Sequence, residues 1–346
     1  MTMKRISALL IIMSLSVSVS AQNGFSDLLS AGVSDANRFA DSYLSPGSEA
    51  LSYGLANGWY DTASSLDEWR FTVRVVGNLT FASDEDKAFI LDPDQYENLE
   101  FANGDARAPR EVATVFGEND PAVRVRIPSN NPLFPDAEFD LPNGLGESGV
   151  DFLPTVFVQA GLGLPGSLEV KARFVPETTV DEVTSQLYGG AVQWSVLDAF
   201  RDSDRQIQND DDLQLGLIAG YTRLDATYDF EDGLVVNGDN QRIETEASTW
   251  LFSSIISKQF GILNVYGGLG YVTGDVQSDL LGTYSVNAGI IPVNSTTIED
   301  PITVTTDVSG LRGNAGLGIV AGFFRFNVDY AIQEYNNLSF SIGARF

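Results

Sequence analysis

The densest set of groups that could do chemistry in this sequence is acidic. Asp202 and Asp204 are followed closely by Asp210, Asp211 and Asp212. Carboxylate oxygens hold calcium when about six to eight ligand oxygens converge on the ion. This stretch lacks the glycine and final glutamate of a regular ligand loop, so a solvated acidic turn is the preferred reading. Gly267-Gly268-Leu269-Gly270 could cradle a phosphate, but it lies in a strand-like pattern and precedes no helix. Glycines placed so are better explained by the close approach of another part of the chain. The chain has no histidine and no cysteine. That removes Ser-His and Cys-His nucleophiles, disulfides and the usual zinc and copper sites. Carboxylate pairs could still perform acid–base work, yet no spacing singles one out. The expectation is a non-enzyme without a cofactor.

The elements that must position any functional group begin with a leader. Lys4 and Arg5 precede the apolar run Ile6–Val17, and Val19-Ser20-Ala21 has the small-residue pattern of a cleavage site. The run is too short for a helix that crosses a bilayer, which needs about 20 apolar residues. A mature chain starting at Gln22 is expected. The net charge of −27 argues against nucleic acid, which is bound through clustered Lys and Arg.

From Gly24 to Leu44 the apolar residues Leu29, Val33, Ala36, Ala40 and Tyr43 recur at helical spacing. Pro46-Gly47 should end this helix, with a second short one over Ser48–Asn57 and a connector to residue 68. At Trp69 the period changes to two. Trp69, Phe71, Val73, Val75, Leu79 and Phe81 alternate with Arg70, Thr72, Arg74, Asn78 and Thr80. Similar alternation covers 150–162, 167–176, 187–197, 213–228, 243–260, 262–273, 311–321, 324–332 and 337–346. These strands, with short turns on the side of Phe346 except for Asp198–Asp212, and longer loops opposite except for the tight turn near Asn336, predict an all-β, antiparallel transmembrane β-barrel. Residues 83–149 form a long, acidic, proline-rich insertion whose strand signals at 112–116 and 123–127 suggest an extra pair, giving about 12 strands with 10 and 14 as alternatives. The domains expected are thus a signal peptide (1–21), a helical plug or hatch (22–68) and the barrel (69–346). Phe346 is the expected membrane-insertion signal.

The charges sort by face. Arg70, Arg74, Asp151, Glu169, Lys171, Arg173, Arg312, Arg325, Asp329 and Arg345 lie on the polar face of their strands. A charge facing hydrocarbon at mid-depth costs about 2–4 kcal/mol, so these ten are candidate lumen-lining residues. Arg223 and Lys258 depart from the rule but sit near strand ends, where long side chains snorkel. The apolar stripe of the N-terminal helix must be buried, either in the lumen or, as a periplasmic helix, against the barrel mouth or a partner.

Tyr43-Leu44-Ser45-Pro46 and the run Ala50–Ala63, ALSYGLANGWYDTA, resemble the opening of an uncharacterised family of Bacteroidota outer-membrane proteins. The layout is more distantly similar to the long-chain fatty-acid transporter (FadL) family: signal peptide, helical hatch, barrel. That resemblance implies passive uptake of hydrophobic molecules through a lumen closed by the hatch. Ser45-Pro46 followed by Ala50 lacks the asparagine of that family's Asn-Pro-Ala motif, so no ligand-binding residue carries over. The sequence therefore supports a barrel in the outer membrane of a Gram-negative bacterium, passing a small solute. Its rival is a structural barrel whose acidic external loops bind a partner, divalent ions or polysaccharide. An interior packed around Arg70, Arg74 and Arg325 would favour the rival. Expected partners are outer-membrane lipid and lipopolysaccharide, the barrel-assembly machinery and a small-molecule solute, with no nucleic acid.

Overall fold

A computed structural model describes residues 27–129, 135–180, 182–200, 213–230, 238–287 and 295–346. The expected leader and the acidic group Asp202, Asp204, Asp210, Asp211 and Asp212 lie outside these residues.

The period-two segments become ten barrel strands: β1 (Phe71–Phe81), β2 (Phe152–Leu164), β3 (Leu168–Val180), β4 (Val183–Ser195), β5 (Gln214–Asp229), β6 (Arg242–Phe260), β7 (Leu263–Leu281), β8 (Ile302–Ala321), β9 (Phe324–Ile332) and β10 (Asn337–Arg345). Each pairs antiparallel with its sequence neighbours, and β1 also pairs with β10, which closes the sheet. At that seam Phe346 and Phe71 exchange backbone hydrogen bonds of 2.9 and 3.1 Å. Their rings stack with centroids 5.0 Å apart.

Among the described residues the barrel has ten strands, the lower of the alternatives, in place of the expected twelve. The described residues of the insertion between β1 and β2 contribute no barrel strand. Its pieces, such as Ala88–Leu91, Arg110–Ala113 and Arg124–Ile127, are four residues each, and a spanning strand needs about 9–11. They pair among themselves in two small sheets outside the barrel wall.

The end that carries Phe346, the turn end, has short turns at 165–167, 261–262 and 322–323 together with the long connection 196–213. The opposite, loop end has the long connections 82–151, 230–241 and 282–301 together with short ones at 181–182 and 333–336. Large apolar side chains such as Val73, Val158, Leu217, Phe252, Leu317, Val328 and Phe340 are exposed on the outer surface. On β7 the outward residues Leu263, Val265, Leu269 and Tyr271 give way to Thr273, Asp275, Gln277 and Asp279 toward the loop end. The inward face changes in the opposite sense there, with Val272, Val276 and Leu280 buried. The wall thus has an apolar outer belt and, beyond it, a section with a polar exterior and an apolar interior. Tyr221 and Trp250, with ring centroids 4.8 Å apart, mark the boundary. Just beyond them Arg223 bridges Asp225 at 2.9 Å and Glu246 at 2.7 Å. Lys258, outward near the turn end, lies 5.3 Å from the Phe260 ring.

Helix α1 (Val33–Ala56) runs without interruption through Pro46, where a stop is expected from sequence. A mid-helix proline disturbs the carbonyls of the preceding turn. Here the N–H of Val115, from the insertion, donates to the carbonyl of Tyr43 at 3.0 Å. Gly47 makes this approach feasible, since a Cβ there would lie 2.9 Å from Val115 Cγ1. The first half of α1 is buried at the loop end, where Phe39, Ala40 and Tyr43 share a core with Leu99, Val125, Ile302 and Val304. The second half descends into the barrel, and residues 57–68 continue to the turn end, where Asp67 meets Arg345.

Candidate functional site

An α-helix ends in carbonyls that have no intrahelical partner, and its dipole makes that end negative. Helix α1 has no basic residue in its last turn. The barrel wall supplies the missing donors. Arg173 on β3 donates to the carbonyls of Leu55 at 2.7 Å and Asn57 at 3.0 Å. Arg74 on β1 donates to the carbonyl of Trp59 at 2.7 Å, which also accepts from Gln159 and Lys171 at 3.2 Å each. Arg312 on β8 donates to Asn57 Oδ1 at 2.9 Å and to the Tyr60 hydroxyl at 2.8 Å. The guanidinium of Arg173 also lies 3.5 Å from the Trp59 ring centroid. Carboxylates match three of these cations: Asp61 with Arg74 at 3.4 Å, Glu169 with Lys171 at 3.4 Å, and Asp329 with Arg312 at 3.5 Å.

Of the ten candidates, Arg74, Glu169, Lys171, Arg173, Arg312 and Asp329 are buried together around residues 54–66. Arg70 is exposed at the turn end, Arg345 pairs there with Asp67 at 2.8 Å, and Arg325 lines the same mouth. Asp151 does not line the lumen. It precedes the first residue of β2, is half exposed at the loop-end rim, and lies 3.6 Å from Lys87. The glycines of the wall mark where the N-terminal segment touches it. A Cβ on Gly216 would lie 2.5 Å from the carbonyl oxygen of Ala63, and one on Gly268 only 2.3 Å from the Tyr60 hydroxyl. Gly268, within the Gly267–Gly270 run, thus makes room for the Tyr60 hydroxyl.

Above this polar clamp the contact between helix and wall is incomplete. A cavity of about 250 Å³ remains, lined by Leu44 and Leu51 of α1 and by Val175, Leu187, Leu224 and Val276 of the wall. Its lining also includes Pro154 and Val156, whose side chains alternate with inward Phe157 and so belong to the outer face of β2. The wall is open there. The ladder between β2 and β3 runs from Leu164↔Leu168 to Val158↔Phe174 and stops. Beyond it β2 stays paired with β1 as far as Phe152, and β3 with β4 as far as Val180, after a register shift between Val175 and Thr178. Each unpaired stretch carries a proline, Pro154 or Pro176, a residue without the N–H that a ladder requires. The gap lies next to the outward apolar residues Val158, Phe174 and Tyr188.

Sequence reasoning does not reach this cavity. Two signals for it are present: prolines at Pro154 and Pro176 in facing strands, and the change of inward residues from Arg173 to Val175 along β3.

A second cavity, of about 190 Å³, opens at the turn end beside residues 61–66. Its lining is polar and includes Arg74, Lys171, Arg325 and Arg345 together with Asp61 and Glu169.

A model of a family of unknown function matches residues 3–346. No curated protein matches the chain. Among solved structures, it is similar to Ail, the attachment invasion locus protein of Yersinia pestis, at 8% identity and a TM-score of 0.26, covering 81% of this chain and 99% of that one. The outer-membrane protease OmpT of Escherichia coli gives 10% identity, a TM-score of 0.30 and coverages of 83% and 99%. The translocator domain of the autotransporter NalP of Neisseria meningitidis gives 10%, 0.26, and 87% and 93%. None of these three is a long-chain fatty-acid transporter.

Proposed function

Since the chain belongs to the DUF6588 family, for which no function is known, we propose from its own geometry that it is an outer-membrane barrel, closed by its N-terminal segment, that takes up a small apolar molecule from the membrane. The apolar belt supports the location, because exposed side chains of this kind need hydrocarbon as solvent. By the same logic the turn end faces the periplasm and the loop end the exterior. Residues 27–68 act as a plug entering from the outside.

The observation that carries the uptake reading is the cavity bounded by Leu51, Leu187 and Val276. It is apolar, of the size of a short alkyl chain, and continuous with the break between β2 and β3. A free aqueous pore is not supported, because the lumen cations are engaged by the plug. The test is equilibrium binding of a fluorescent dodecyl probe to the purified, folded protein. Wild type should bind saturably, and Leu51→Trp, which fills the cavity, should weaken binding by at least about tenfold, since burial of even a few methylenes is worth more than 1.4 kcal/mol. Equal binding by both proteins rejects the reading.

The engaged cations favour a second reading, a structural barrel that displays its external loops to a partner. In that case neither protein binds the probe, and deleting residues 83–149 abolishes partner binding.

A further inference from the structure

The cavity at the periplasmic mouth is a separate feature, and its charges do not cancel. Asp61 is matched by Arg74 and Glu169 by Lys171, each at 3.4 Å. Arg345 is matched by Asp67 at 2.8 Å. The side chain of Arg325, on β9, makes no hydrogen bond or ion pair among the described residues and meets the charge of Asp61 only at longer range. Its Nε is buried without a partner. An unmatched guanidinium at a partly enclosed site is costly unless something supplies acceptors. The mouth is wide enough to admit that something, and its neutral side chains Asn264, Asn327 and Ser257 are already bonded to residues 61–63, which leaves the contact to Arg325.

We infer that this pocket binds a small soluble oxyanion, of phosphate or carboxylate type, with Arg325 as its principal contact. Arginine presents a planar fork of N–H donors that fits two oxygens of such an anion at once. Arg74 and Lys171 lie in the same lining and hold the local potential positive. They are fixed by Trp59 and by their own carboxylates, so the anion adds to the clamp on the plug and does not replace it. Binding there would couple the periplasmic side to residues 61–66, the last part of the plug before β1. The site is independent of the apolar cavity, so either assignment can fail alone.

The experiment is equilibrium dialysis of radiolabelled inorganic phosphate against the full-length folded protein in a neutral detergent at constant ionic strength. Wild type should bind saturably. Arg325→Gln should lose at least about tenfold in affinity, as expected when a charge-assisted fork is removed. Arg325→Lys keeps the charge, and hence the fold, and should weaken binding by several-fold because the fork is gone. Absence of saturable binding by wild type, or equal affinities in all three proteins, overturns the proposal. Repeating the titration in nanodiscs separates the sources of the anion. If phosphatidylglycerol, but not phosphatidylcholine, abolishes phosphate binding, the occupant is a lipid headgroup and the soluble-anion assignment is wrong.

Discussion

Arg173 offers the sharpest perturbation. It is 1% exposed and no carboxylate among the described residues pairs with it; its partners are the carbonyls of Leu55 and Asn57, Thr222 Oγ1 and Gln159 Oε1, at 2.7–3.2 Å. Replacing it with alanine removes two charge-assisted bonds to the end of α1, at about 1.5–3 kcal/mol each. The cation–π contact with Trp59 adds up to about 2 kcal/mol in a desolvated setting. Against this stands the relief of a buried cation, several kcal/mol. A net loss of about 3 kcal/mol in plug docking is expected, or roughly 150-fold in its opening equilibrium. Hydrogen exchange of the amides in residues 50–60 reads this directly, while heat-modifiable gel mobility checks that the barrel is intact. Arg173→Lys should fall between the two, since ammonium cannot fork across both carbonyls. Unchanged protection of residues 50–60 in Arg173→Ala would refute the view that lumen cations exist to hold the plug.

Other perturbations address other parts of the account. Gly216→Ala brings a methyl to 2.5 Å from the backbone oxygen of Ala63 and should cost about 1–3 kcal/mol, seen as faster exchange in residues 61–66. Val328→Arg places a charge on the exposed belt face of β9 and should cost about 2–4 kcal/mol in liposome-folding titrations. Thr305→Arg, outward on the polar section of β8, should change stability by less than about 0.5 kcal/mol. The carboxyl of Glu49 is raised above its ordinary 4.5, first by burial, with Glu334 and Asp86 adding repulsion and the Tyr335 hydroxyl opposing them. A carboxyl raised in the folded state favours folding while protonated, and that contribution is lost as pH rises through the raised value. Protection factors around residues 44–52, which remove the intrinsic pH dependence of exchange, should therefore fall from about pH 4.5 upward, and Glu49→Gln should flatten this slope.

The barrel was legible because a wall between two solvents writes itself into alternate residues. Phe324, Phe326, Val328 and Tyr330 against Arg325, Asn327 and Asp329 leave little choice of face. The extra strands expected in residues 83–149 fail for a local reason: Val112 and Val125 have strand chemistry, but the runs around them are too short to cross hydrocarbon. Pro46 misleads in the opposite direction. Its cost inside α1 is offset by a donor from Val115, sixty-nine positions on, which no local pattern contains. Six of the ten candidate charges do gather inside, yet their partners could not be foreseen. Several of those partners are backbone carbonyls, of Leu55, Asn57 and Trp59, and residue type gives no hint of a carbonyl's availability. The apolar cavity was hidden because it depends on where a ladder stops, a property of two strands together.

The central claim is that an apolar molecule reaches the cavity beside α1 through the gap between β2 and β3. Photolabelling tests it most directly. The protein is reconstituted into vesicles containing a diazirine-bearing alkane, irradiated, digested and mapped by mass spectrometry. The account predicts adducts on inward residues of the cavity, Leu51, Leu187 and Val276, in addition to belt residues, and their loss in Leu51→Trp. Adducts confined to outward belt positions such as Phe252, Leu317 and Phe340 would contradict it.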